Sequence, residues 1–61
     1  MSSFAADVTY EDGTWTGAVR NPSVRMEAAS PHELRDALSA RIRELNQVPD
    51  HVPVNVILIR L

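Results

Sequence analysis

Sixty-one residues without cysteine, at a formal net charge of −2, make one small domain (residues 1–61) with neither disulfides nor thiolate metal sites. Eight acidic residues outnumber six basic ones, all arginine, which argues against a general nucleic-acid binder with a basic face. A core of this size rarely supplies more than ~3–5 kcal/mol, and with only His32 and His51 as further metal ligands, oligomerisation is the reinforcement left.

Phe4 to Tyr10 alternates cleanly. Phe4, Ala6, Val8 and Tyr10 share one parity, and Ala5, Asp7 and Thr9 share the other, which predicts a half-buried strand. Asp12-Gly13 then gives the strongest short-range hairpin signal, because glycine takes positive φ without steric cost. The return strand spans Thr14 to Arg20, with Trp15, Gly17 and Val19 on one side. Gly17 inside it predicts a bulge or the close approach of another backbone.

Asn21-Pro22 punctuates the chain, and Val24 to Ala28 forms a third strand with Val24, Met26 and Ala28 on one side. Ser30-Pro31-His32-Glu33 starts a helix: serine at the N-cap, proline at the first helical position, glutamate three residues after the cap. The helix is expected from about Pro31 to Asn46, with Leu34, Leu38, Ile42 and Leu45 as its apolar stripe, widened by Ala37. Arg35, Asp36, Arg43 and Glu44 fall on or near the wet side. Asn46 and Pro49 end it, and Gln47 to Pro53 is a loop.

The last strand, Val54 to Leu61, is apolar on both parities. Val54, Val56 and Leu58 make one set; Ile57, Ile59 and Leu61 make the other. A strand with one face in water should alternate with polar residues, so both of its faces call for cover. One helix covers one side only. The expected fold is therefore an α/β (α+β) two-layer sandwich of order β-β-β-α-β: a four-stranded sheet with one helix on one face. If the last strand pairs with the first, that pair should be parallel.

These elements resemble the HicB-like antitoxin domain over roughly residues 4 to 46. The residues that carry the resemblance are Asp12-Gly13, the aromatic Trp15 soon after it, the corner at Asn21-Pro22, and the capped helix Ser30-Pro31-His32-Glu33-Leu34-Arg35-Asp36-Ala37-Leu38. Where that family has a proline-glycine corner, this chain has Asn21-Pro22-Ser23-Val24. The resemblance implies a partly degraded RNase H-like fold without nuclease chemistry. It also implies a domain that binds and blocks a small messenger-RNA-cleaving toxin and self-associates. The stretch read to Leu61 includes none of the DNA-binding extension that the resemblance would bring, so autoregulation of an operon is not expected of it.

Candidate site residues are those of an interface: Trp15, Val54, Val56, Ile57, Leu58, Ile59 and Leu61. Trp15, with Tyr10 and Phe4, reads as an interface anchor or as cross-strand packing. The two apolar sets of the last strand compete for the place under the helix, and the sequence leaves open which set wins. Asp7, Glu11, Asp12 and Asp50 could be set against an RNase H-type centre, in which several acids converge on two ions ~4 Å apart, but Glu11 and Asp12 are better explained by the turn and Asp50 by the loop. His32 and His51 read as exposed residues, and Arg20, Arg25 and Arg60 as solvated charges. No catalytic, cofactor-binding or metal-binding constellation is expected.

The expectation is a non-enzymatic protein-binding module, homodimeric through the sheet face or the last strand, that occludes a partner protein, with a small ribonuclease toxin as the partner the resemblance implies. The alternative is a phage or mobile-element protein with a structural or host-interaction role and no toxin partner. A single-stranded RNA reader using Trp15 and Tyr10 as stacking platforms is a third reading, opposed by the acidic balance. Met1 to Asp7 lacks the basic start and apolar run of a signal peptide, and the last strand is far shorter than the ~20 residues of a membrane span, so a cytoplasmic protein is expected.

Overall fold

The computed structural model describes residues 2–60. Within them the chain forms β1 (Ser2–Glu11), β2 (Thr14–Val19), β3 (Val24–Ala28), α1 (Pro31–Leu45) and β4 (Val54–Arg60). The strands join in the order β3-β2-β1-β4. β1, β2 and β3 form an antiparallel meander, and α1 crosses one face to deliver β4 to the far edge, parallel to β1. This is the two-layer α+β architecture expected from the order of elements; the edge that β4 would join was left open, and it joins β1, in parallel as that pairing requires. Leu61, one of the expected interface residues, lies outside the described residues.

Local chemistry accounts for each connection. Asp12 (φ 51°) and Gly13 (φ 79°) both take left-handed conformations, the requirement of a two-residue type I′ hairpin, and Glu11 pairs directly with Thr14. A tight corner joins β2 to β3, with a cis peptide between Asn21 and Pro22. Ser30 is extended, and its hydroxyl accepts the Glu33 N–H at 3.2 Å, while Pro31 occupies the first turn, where a backbone donor would be idle.

The helix ends one residue earlier than its periodicity suggests, with Asn46 as the C-cap. Gln47 turns left-handed (φ 52°), its N–H reaches Glu44 O at 3.3 Å, and the Val48 N–H reaches Arg43 O at 2.9 Å. Those two bonds are the Schellman arrangement, made here with glutamine where glycine is usual.

The core lies between α1 and one face of the sheet. Leu34, Leu38 and Ile42 are fully buried and pack against Ala6, Val8, Val19, Val24 and Val56. Leu45 departs from the expected stripe: it is 44 % exposed, because the last turn already belongs to the exit into the loop. Gly17 makes no bulge, since the β1–β2 register runs unbroken from Ala6 to Glu11. It answers to close approach instead, by side chains rather than backbone. A methyl group built on it would meet Leu38 Cδ1 at 3.0 Å and Leu34 Cδ2 at 3.1 Å.

Among the described residues no polar or charged side chain is buried. No helix among them is long and apolar enough to cross a membrane.

Candidate protein-interaction surface

The register with β1 decides which face of β4 is covered. Phe4 pairs with Val56 and Ala6 with Leu58, so Val54, Val56 and Leu58 share the helix-side face with the buried parity of β1. Val56 is buried, and Val54 and Leu58 are half-buried against the core. Val56 is thus taken up inside the molecule, while Val54 and Leu58 keep part of their surface at the edge. Ile57 and Ile59 carry the opposite parity, beside Ala5 and Asp7 of β1, and remain 55 % and 45 % exposed.

The open face of the sheet divides into two halves. On the β4 side, Ile57, Ile59, Ala5 and Ala18 give an apolar strip. Asp7 lies between Ala18 and Ile59 in the register, and Arg20 Nη2 approaches its carboxylate at 3.6 Å. Arg20 is almost wholly solvated, so this pair adds little stability, and it sets a charge between Ala18 and the isoleucines of β4. A shallow depression of about 390 Å³ opens beside this pair, lined by Phe4, Ala5, Asp7, Val19, Arg20 and neighbouring residues.

On the β3 side the same face is polar. Thr9 and Thr16 are paired across β1 and β2, and Thr16 in turn faces Glu27 of β3. A second depression, of about 360 Å³, is lined by these residues with Glu11, Asp12, Thr14 and Arg25. Glu11 and Asp12 belong to the hairpin, Asp7 is drawn to Arg20, and Asp50 lies in the loop before β4. Among the described residues no three acids or histidines come together in a metal-holding group.

Trp15 stands on the other face. It is half-buried against the core, with Tyr10 directly opposite on β1, their ring centroids 4.7 Å apart and tilted by 48°. The guanidinium of Arg60 sits 5.4 Å from its ring centroid, within the range of a cation–π contact. The structure therefore brings Ile57 and Ile59 together on one surface and places Trp15 elsewhere. Its ring is occupied by Tyr10 and Arg60 rather than presented as an open stacking platform.

Arg43 is the residue that sequence patterning misses. It falls near the wet side of the helix, yet its Nη1 donates to Pro49 O at 2.7 Å and Val52 O at 2.8 Å. This clamps the loop that feeds β4 into the sheet. Its acceptors are backbone carbonyls, which carry no residue signature, so no spacing in the sequence announces the contact. Ser39 adds a long bond from its hydroxyl to Val54 O at 3.4 Å.

Comparison with known proteins gives no relative: the chain matches no protein-family model, no curated protein and no solved structure.

Proposed function

We propose that this chain is a non-enzymatic, cytoplasmic protein-binding module, homodimeric and HicB-like in role, that works by occlusion. The apolar half of its open face lies on a partner protein and blocks the partner's working surface. The observation that carries the reading is the pair Ile57 and Ile59, exposed side by side on the uncovered face of an edge strand. Large apolar side chains grouped on one surface mark interaction sites more often than isolated ones do. Asp7, approached by Arg20, adds a charged group beside the isoleucines, and interfaces carry such polar contacts next to their apolar core. The resemblance over residues 4 to 46 makes a small ribonuclease toxin the partner to test first.

Binding is tested by comparing the unmodified chain with Ile59→Asp and with Arg35→Glu, which alters the exposed side of α1. Each is assayed for capture of a ribonuclease toxin encoded beside its gene, with circular dichroism to establish folding. Ile59→Asp should fold and lose capture, whereas Arg35→Glu should retain it. A folded Ile59→Asp chain that captures the toxin as well as the original would sink the occlusion reading.

A further inference from the structure

We infer that two copies of this chain join edge to edge through β4, antiparallel about a two-fold axis at Leu58, so that the two sheets become one. The inference deepens the binding-module reading and rests on it, because the join gathers the exposed isoleucines of both copies into one occluding patch.

The two edges of the sheet differ. β3 is five residues long and carries Arg25 and Glu27, charges of the kind that discourage edge pairing. β4 is seven residues long, has no proline within it, and carries its single charge, Arg60, at its end. One side of β4 is paired with β1 over a continuous register from Val54 to Arg60. The other side is the edge of the sheet, and a long, apolar, unbulged edge is a template for another strand.

Side-chain matching selects a second copy and sets the register. With the axis at Leu58, Ile57 of each copy stands opposite Ile59 of the other, and both exposed isoleucines gain an apolar cross-strand neighbour. An axis one residue earlier would set Ile59 opposite Asn55. The helix-side residues decide less, since Val56 is buried and Leu58 half-buried within each copy. Charge agrees with the Leu58 axis. The two Arg60 side chains fall at opposite ends of the join, so no like charges oppose each other, and each stays over its own Trp15. Such a join takes less area than the roughly 800 Å² per partner of a standard interface, so the association should vary with concentration.

Hydrogen exchange on the unmodified chain tests this, read alongside mass by light scattering over a dilution series. Alternate β4 amides point away from β1. They should exchange fast in dilute solution and lose that fast exchange as the mass doubles. A second readout uses the absence of cysteine: Leu58→Cys provides one thiol per chain, directly opposite its mate at a spacing a disulfide can span. Mild oxidation should link it into dimers, whereas Ser23→Cys, in the β2–β3 corner, should stay unlinked. A doubled mass with outward amides still exchanging fast means stacking through the open face, which overturns the edge join and leaves the binding reading standing. A chain that stays monomeric throughout the series also overturns it. Conversely, an edge-joined dimer whose Ile59→Asp variant still captures the toxin would retain this inference and remove the function proposed above.

Discussion

Gly17 lies beneath the helix, and the two fully buried leucines above it leave no room for a branched side chain. Gly17→Val should lower stability by ~1–3 kcal/mol, the usual cost of forcing extra carbons into a packed core, which urea denaturation would measure. Gln47 presents the opposite case. It holds a left-handed backbone conformation that costs an ordinary residue roughly 1–2 kcal/mol, and it does so in a helix stop where glycine is the usual choice. Gln47→Gly should therefore raise the midpoint of thermal unfolding, with a net gain of up to about 1 kcal/mol once the looser unfolded chain is counted. Asp12-Gly13 and Ser30 were legible because their side chains, or the lack of one, dictate the local backbone. Gln47 and Arg43 were not. A left-handed glutamine and an arginine bound to carbonyls are imposed by the route of the chain rather than by residue type.

At the scale of the element, the helix stripe and the first three strands follow from their periods, with boundaries shifted by a residue or two. Leu38 and Leu45 occupy the same predicted stripe but not the same environment. Leu38→Ala should cost ~2–5 kcal/mol, as buried leucine truncations do, while Leu45→Ala should stay within about 0.5 kcal/mol of the original. Equal losses at the two positions, measured in the same denaturant series, would contradict the exposure that separates them. β4 shows where period ceases to inform. With both parities apolar, alternation gives no inside and outside. The choice is made by pairing with β1, whose clean pattern of Ala6 and Val8 against Ala5 and Asp7 carries the information β4 lacks.

For the whole molecule, element order and short connections were enough to anticipate the meander and the crossover, while the choice of β1 as the neighbour of β4, which makes the closing pair parallel, was left open. The exposed pair Ile57 and Ile59 was one of two options until the sheet was assembled. The parallel pairing of β1 with β4 also has a bearing on how the chain is made. β1 lies in the middle of the sheet, yet its partners on one side are nearly the full chain length away. A growing chain can form the β1–β2 hairpin, β3 and α1 as each emerges, but one flank of β1 stays open until β4 clears the ribosome. Contacts between segments so far apart in sequence are closed late, because the loop entropy must be met before they yield any gain. Until then Phe4, Ala6 and Val8 border an unfilled slot in the sheet, and a β4-like strand from a neighbouring chain would fit there as well as the chain's own. Newly made copies in close proximity are therefore at risk of exchanging their last strands.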